Sequence, residues 1–251
     1  MRAPMRVILA TLLVAGSASA ARAQTASPSV SSGAKWTYLI APYFLAPNMD
    51  GTISFGPVTQ NVAASPGDVF EHLDFGFMIY TEARKGPLAL GLDILYLNLG
   101  QDGFTALGTY NVDVKQSAYM ATAYRRLAPR LEASLGLTLN HLSAGLTTSG
   151  PLAVHNNDSK TWVDPMVGLR AEVIKSPKWG LKVTGSVGGF GIGSDFAWQA
   201  YPVLSYRLDQ DLDLGVSYRA YGVDYKTGTG NDVFKYDVVT FGPELGAGFH
   251  F

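Results

Sequence analysis

Residues 238–251 read VVTFGPELGAGFHF and keep a two-residue alternation to the end of the sequence. From Val239 to Phe251 every second residue is apolar, aromatic or proline, whereas the residues between them are Thr, Gly, Glu and His. Successive side chains of a β-strand point to opposite faces of the sheet, so this period indicates a strand with one apolar face. We therefore predict a strand that runs through Phe251.

The same alternation recurs upstream, as in LEASLGLTLN at 131–140, where Leu and Ala alternate with polar or small residues. Several such runs exceed the about five or six residues usual in soluble sheets and match the roughly 9–11 residues of a tilted membrane-crossing strand. We predict ten strands, which are Lys35–Leu45, Leu73–Arg84, Leu88–Leu99, Tyr110–Arg125, Leu131–Ser143, Thr161–Ile174, Gly180–Ile192, Phe196–Arg207, Leu212–Lys226 and Val233–Phe251.

The connections between these strands alternate between two kinds. Tight turns are predicted at 85–87, 127–129, 176–178 and 209–211. Longer polar loops are predicted at 48–72, 100–109, 144–160 and 227–232, with a shorter one at 193–195. Short turns at one end and longer loops at the other are typical of transmembrane β-barrels.

The strands of a soluble β-sandwich also alternate between apolar and polar residues, but the low content of charged residues favours a membrane barrel. Charged residues make up 16% of the chain, against about 25% in ordinary soluble domains. The sequence therefore favours an all-β fold, a closed antiparallel up-and-down transmembrane barrel of about ten strands, with eight as the alternative. The last strand then pairs with the first, because an open edge in hydrocarbon leaves backbone groups without partners.

The first residues predict export. Arg2 and Arg6 precede the apolar run Val7–Ala15, and the small residues GSASAARA follow. This pattern is typical of a secretory signal peptide. We expect residues 1–23 to be the signal peptide, cleaved between 20 and 24, residues 24–34 a leader and residues 35–251 the barrel. General secretory export would bring it to the bacterial outer membrane.

Composition excludes several kinds of site. The chain has no cysteine, so it has no disulfide, thiolate metal site or lipid-modified cysteine. Its 19 basic and 20 acidic residues form no basic cluster, so we expect no nucleic-acid partner. His72 and His155 are isolated, and we expect neither a metal nor a cofactor.

Charges on the polar face of the strands are the main candidates for a lumen lining. Mixed signs predict ion pairs that fill a narrow barrel, and the alternative is a thin polar path for water, ions or very small solutes. The predicted lumen charges are Glu82, Arg84, Asp93, Lys115, Glu132, Asp164, Arg170, Glu172, Lys182, Arg207, Arg219 and Glu244.

NHLSAG at 140–145 is the one enzymatic candidate. His141 and Ser143 share a strand face, the side of Leu139, and their spacing resembles the catalytic pair of outer-membrane lipid A deacylases. The resemblance implies attack of Ser143 on a lipid ester with His141 as base. Ala144 stands where that family has Asn, and no acid is identified. An omptin-type protease would need paired acids and a histidine, for which His155 and Asp158 are the only loose match.

Two other segments resemble functional motifs. GGFGIG at 188–193 precedes a predicted strand, so it is not a phosphate loop, which must open a helix. SPGDVFEHL at 65–73 predicts one or two helical turns capped by Asp68.

TWVDPMVGLRAE at 161–172, GGFGIGSDFAWQ at 188–199 and the closing GFHF resemble proteobacterial outer-membrane barrels of the OmpA-like or opacity type. The resemblance implies a non-enzymatic barrel with a structural, surface-antigen, adhesion or minor permeability role. Phe249 and Phe251 resemble the terminal signal that the barrel assembly machinery binds. We therefore expect that machinery, outer-membrane lipid and lipopolysaccharide as partners of a monomer.

Overall fold

The computed structural model describes residues 33–105, 108–150, 153 and 155–251. The expected signal peptide and nearly all of the leader lie outside these residues. The described elements, in chain order, are β1 Thr37–Leu45, β2 Asn48–Phe55, β3 Val58–Ala64, α1 Pro66–Glu71, β4 Leu73–Lys85, β5 Leu88–Thr105, β6 Gly108–Ala128, β7 Leu131–Thr148, β8 His155–Lys175, β9 Trp179–Gly189, β10 Phe196–Arg207, β11 Leu212–Thr227, a 3₁₀ turn Gly230–Asp232 and β12 Phe234–His250. None of the described helices is long and apolar enough to cross a membrane.

Ten of the described strands form one closed antiparallel barrel. Strands β4 to β12 pair with their sequence neighbours, and β1 pairs with both β4 and β12. The closing register joins Leu39 to His250 and Leu45 to Glu244. The predicted closing role of the last strand is therefore confirmed, and the barrel has ten strands rather than eight.

Residues 48–72 were predicted as one loop with one or two helical turns at 65–73. The helical turns are confirmed as α1, whereas the loop prediction is wrong for residues 48–64, which form the hairpin β2–β3. Strand β12 pairs with β2 from Phe234 to Phe241 and with β1 from Glu244 to His250. A side chain on Gly242 would collide with the backbone of Ala46, so glycine allows β12 to pass from one partner to the next.

The other long loops are also mostly strand. Strands β5 and β6 stay paired to Thr105 and Gly108, and β7 and β8 to Thr147 and His155. Predicted loop segments 100–109 and 144–160 are thus largely extensions of hairpins at the long-loop end. These extensions are polar, which we attribute to water on both of their faces. Without an apolar face they lack the two-residue period that identifies a strand, so the sequence predicted loops.

The two faces of the wall differ as expected for a barrel in lipid. Outward side chains form an apolar surface that a soluble protein rarely shows. Its exposed members include Ile40, Phe77, Leu90, Leu92, Leu135, Leu137, Val167, Leu169, Val187, Val216 and Leu245. Inward side chains are small, polar or charged, and many are buried.

The assignment of Lys115 to the lumen is wrong. Lys115 is exposed and lies in register with Asn98 and Ser143, on the outward face. Its inward neighbour is Gln116, which is in register with Leu97 of the interior. A lysine is tolerated on the outer face here because this part of β6 approaches the long-loop end, where the wall meets water.

Candidate functional site: the barrel lumen

Two arginines and two glutamates form a closed ring of ion pairs inside the barrel. Arg84 Nη1 lies 2.6 Å from Glu132 Oε1, and Arg84 Nη2 lies 3.0 Å from Glu82 Oε1. Arg170 Nη1 lies 2.6 Å from Glu82 Oε2, and Arg170 Nη2 lies 2.6 Å from Glu132 Oε2. The ring joins β4, β7 and β8 and carries no net charge. Such bidentate pairs satisfy both partners in a site poor in water.

Aromatic side chains support this ring. The Tyr80 hydroxyl donates to Glu82 Oε2 at 2.7 Å. The Arg170 guanidinium lies 3.6 Å from the centre of the Tyr124 ring, a cation–π contact. These contacts restrict the rotamers of the charged groups, so the ring is a packed layer and not a set of mobile charges.

A second layer surrounds Arg219. Its Nη1 lies 2.7 Å from Asp93 Oδ2, and its Nε lies 2.6 Å from Glu244 Oε1. The Tyr43 hydroxyl donates to Asp93 at 2.7 Å, and the Ser217 hydroxyl donates to Glu244 at 2.8 Å. Only 7% of each charged side chain in these two ion pairs is exposed. This layer links β1, β5, β11 and β12.

The third layer holds a carboxylate without a cation among the described residues. Asp164 is fully buried and accepts bonds from the Ser194 backbone and hydroxyl at 2.6 and 2.7 Å. Asn140 and Trp162 donate to its other oxygen at 3.2 and 3.1 Å. Four donors replace the water that the charge has lost. The bonds also attach the β9–β10 turn to β8, since Ser194 belongs to that turn.

An apolar cluster lies beyond Asp164 at the long-loop end. Trp162 stacks on Tyr225 with ring centres 4.3 Å apart and contacts Tyr236 at 5.9 Å. Met49, Ile53 and Val62 of the β2–β3 hairpin pack against the cluster. Its buried members are Trp162, Met166, Ala197, Val223, Tyr225, Phe234, Tyr236 and Val238.

The remaining lumen space is divided. A cavity of about 180 Å³ occupies the short-turn end, from the first two layers to Asp213 and His250 at the rim. Voids of about 30 and 10 Å³ lie farther in, the first beside Tyr80 and Tyr201 and the second beside Trp162 and Tyr221. Since one water needs about 10–15 Å³, the inner voids hold roughly one to three waters each.

The other predicted lumen charges lie near the short-turn end. Arg207 Nε is 2.8 Å from Asp213 Oδ1, and His250 Nε2 is 2.9 Å from Asp213 Oδ2. Glu172 lies 3.0 Å from Lys175. Lys182 lines the 180 Å³ cavity. Of these residues, Lys182, Asp213 and His250 line the cavity, and none belongs to the buried layers.

His141 and Ser143 lie on the outward face of β7, each with a hydrogen-bond partner on β8. His141 Nδ1 is 2.7 Å from Thr161 Oγ1, and the Ser143 hydroxyl donates to Asn157 Oδ1 at 3.2 Å. No bond joins the two among the described contacts, so the described geometry does not contain the base–nucleophile contact that acyl transfer requires.

The protease candidates His155 and Asp158 also contact other residues, and not each other, among the described contacts. His155 Nδ1 lies 3.0 Å from Thr147 Oγ1, and Asp158 pairs with Lys160 at 2.9 Å. Within the described ranges, no group of three His, Asp or Glu side chains is arranged to hold a metal.

Helix α1 lies within the segment predicted to be helical, but the predicted cap at Asp68 is wrong, because Asp68 lies at the third helical position. Ser65 is the N-cap, and its hydroxyl accepts from the Asp68 backbone while Asp68 Oδ2 accepts from the Ser65 hydroxyl at 2.7 Å and backbone at 2.8 Å. These bonds favour the ionised carboxylate and hold the pKa of Asp68 below its usual range.

The sequence prediction missed the uncharged partners of these layers. Tyr43 and Tyr80 have the inward parity of their strands, so the alternation that selected the charged residues also contained a signal for them. Ser194 lies in an irregular turn without periodicity, and nothing in the sequence indicated that it would contact Asp164.

Comparisons with known proteins give a fold and no family. No protein-family model matches the chain, and no curated protein matches it. The outer-membrane protease OmpT of Escherichia coli is similar in structure, with a TM-score of 0.53 and 8% identity over 86% of this chain and 97% of that chain. The chain has the fold of a bacterial outer-membrane β-barrel.

Two other solved structures are also similar, at lower scores. Ail, the attachment invasion locus protein of Yersinia pestis, has a TM-score of 0.42 and 13% identity over 86% of this chain and 98% of that chain. Neisserial surface protein A has a TM-score of 0.35 and 13% identity over 86% and 97%.

Proposed function

We propose that this chain is an integral barrel of the bacterial outer membrane that is closed to solutes and acts as a structural and surface-exposed element. The apolar outer wall suits contact with acyl chains, and the extended hairpins suit the cell surface. In this orientation the short turns and the end of β12 face the periplasm. The barrel assembly machinery would then bind Phe249 and Phe251, and the mature protein would be a monomer in lipid and lipopolysaccharide.

The observation that carries this proposal is the set of packed layers that block the lumen. A solute crossing the barrel would have to separate the Arg84–Glu132 and Arg219–Asp93 ion pairs and displace the apolar cluster at Trp162. Each separated pair would leave charges without partners in a site that holds few waters, and breaking such a buried pair costs about 3–5 kcal/mol. Simultaneous opening of all layers is therefore rare.

Conductance tests the closed barrel. The mature protein is inserted into planar bilayers, and folding in the same lipid is checked by the change in gel mobility on heating. We expect no steady unitary current from the folded protein, whereas an open porin added to the same bilayer conducts. Reproducible unitary currents that scale with the amount of folded protein would refute the closed-barrel function.

Cysteine labelling tests the orientation, and the chain has no native cysteine that would react in the background. Gln60→Cys lies on the β2–β3 hairpin and Lys178→Cys lies in a short turn, and both positions are exposed. In intact cells we expect a membrane-impermeant maleimide to label Gln60→Cys alone, and to label Lys178→Cys after the outer membrane is permeabilised. The opposite pattern would reverse the proposed orientation.

A further inference from the structure

The cavity at the short-turn end has the size of a small organic ligand. It measures about 180 Å³ and extends inward from Asp213 and His250 at the rim to Arg170 and Arg219. At about 10–15 Å³ for each water-sized group, it has room for roughly a dozen such groups. A ligand can enter it from the rim without disturbing the buried layers.

The charged groups of its wall are paired, with one exception. Arg170, Glu82, Arg219 and Glu244 belong to the ion-pair layers, and Asp213 contacts Arg207 and His250.

Lys182 is the exception. It is enclosed by the barrel wall yet accessible to solvent within the cavity, and no ion pair or hydrogen bond of its ammonium group occurs among the described contacts. It is therefore the cation of this wall that is available to a ligand.

The wall around Lys182 also has an apolar part, beside the hydroxyl groups of Thr184, Ser205 and Ser217. Val203 lies directly across from it in the β9–β10 register. Leu39, Ala41 and Ala247 line the same cavity, with glycines Gly215, Gly246 and Gly248 leaving space between them. An inorganic anion would satisfy the ammonium but leave these apolar groups against water. An anion with a short hydrocarbon tail satisfies both.

We propose that this cavity binds a short-chain alkyl carboxylate, with the carboxylate on the Lys182 ammonium and the tail against Leu39 and Val203. One unpaired lysine matches one negative charge. A chain of about six carbons fits within the space for roughly a dozen groups. The site is independent of conduction, since binding at the short-turn end requires no passage through the barrel.

Calorimetric titration of the full mature barrel in micelles with hexanoate tests the site, after subtraction of heats measured with empty micelles. We expect saturable binding of hexanoate and no saturable binding of hexylammonium or inorganic phosphate. Lys182→Met should weaken hexanoate binding at least tenfold, whereas Lys182→Arg should keep it within about threefold. Lys178→Met, an exposed lysine outside the cavity, is the matched control and should bind as the wild type does.

Two results would overturn the site. One is the lack of saturable hexanoate binding by the folded wild type. The other is equal affinity in Lys182→Met and Lys178→Met, which would place the ligand elsewhere. Binding of phosphate as tight as that of hexanoate would contradict the role of the apolar wall. A silent bilayer recording affects none of these outcomes, so failure of this site and failure of the closed-barrel function are distinguishable.

Discussion

Arg219 Nη1 lies 2.7 Å from Asp93 Oδ2, although 126 residues separate the two in the sequence. Arg219 stands on β11 and Asp93 on β5, so neither backbone pairing nor sequence proximity brings them together. Closure of the wall does, because it points both side chains into one narrow interior. The contact therefore depends on the complete barrel.

Loss of the Arg219 cation should destabilise the barrel strongly. Arg219→Met leaves the Asp93 and Glu244 carboxylates buried without their cation, and we expect a loss of about 3–5 kcal/mol in the free energy of unfolding. The measurement is urea unfolding in lipid vesicles. Arg207→Met is the matched control, since the Arg207 side chain is 46% exposed, and it should cost less than about 1 kcal/mol.

A compensating variant separates charge from packing. Adding Asp93→Asn and Glu244→Gln to Arg219→Met removes the two uncompensated charges, so it should recover part of the lost free energy. Equal destabilisation by Arg219→Met and Arg207→Met, or no recovery in the triple variant, would show that the buried charges do not determine stability here.

The alternation along the strands was sufficient to predict the wall, because lipid outside and a crowded interior impose opposite chemistry on alternate residues. It also placed Arg84, Arg170 and Glu132 on the inward face. It could not predict that Arg84 and Arg170 would share Glu82 and Glu132, since partner choice depends on the stagger of strands around the closed barrel.

Two segments show where the periodic signal ends. In residues 48–64 the hairpin β2–β3 has mostly half-exposed or exposed side chains, so its sequence lacks a continuous apolar face and looks like a loop. Lys115 lies near the end of the apolar wall, where a charge on the outer face no longer meets hydrocarbon. Where water replaces lipid at the rim, outward and inward side chains no longer differ in polarity, and the prediction depended on that difference.

A charge on the outer wall tests the membrane location. Leu137 is 56% exposed in the middle of the apolar face. Leu137→Arg should cost about 2–4 kcal/mol in the free energy of unfolding from a bilayer, because the charge meets hydrocarbon. Leu208→Arg, at an exposed short turn, should cost about 0–1 kcal/mol. Similar small costs for both would mean that Leu137 does not face lipid.

The attachment of the β9–β10 turn should depend on Ser194. Ser194→Ala removes the hydroxyl that donates to Asp164 at 2.7 Å, and we expect a loss of about 1–3 kcal/mol, since a buried carboxylate loses a donor. Ser205→Ala is the control, because its hydroxyl makes a longer, partly buried bond of 3.4 Å to Gly180. Urea unfolding compares them. A larger loss for Ser205→Ala would contradict the assignment.

Lipid acylation should not depend on His141 and Ser143. The described contacts join His141 to Thr161 and Ser143 to Asn157 rather than to each other. We therefore expect lipid A from cells expressing wild type, Ser143→Ala or His141→Ala to have the same acyl chains by mass spectrometry. The deacylase alternative requires a chain to be lost in wild type and retained in both variants.

The cap of α1 should respond to acid. The bonds from Ser65 lower the pKa of Asp68 below its ordinary 3.8, so the stabilisation they give is complete above that value and disappears as the pH falls through the lower folded pKa. Ser65→Ala removes the hydroxyl bond, and carboxyl carbon NMR should show the pKa of Asp68 moving up toward its ordinary value. Ser54→Ala, which removes a hydroxyl bonded to Thr59 on the hairpin, should leave that titration unchanged. An equal Asp68 titration in wild type and Ser65→Ala would mean that the cap is not formed.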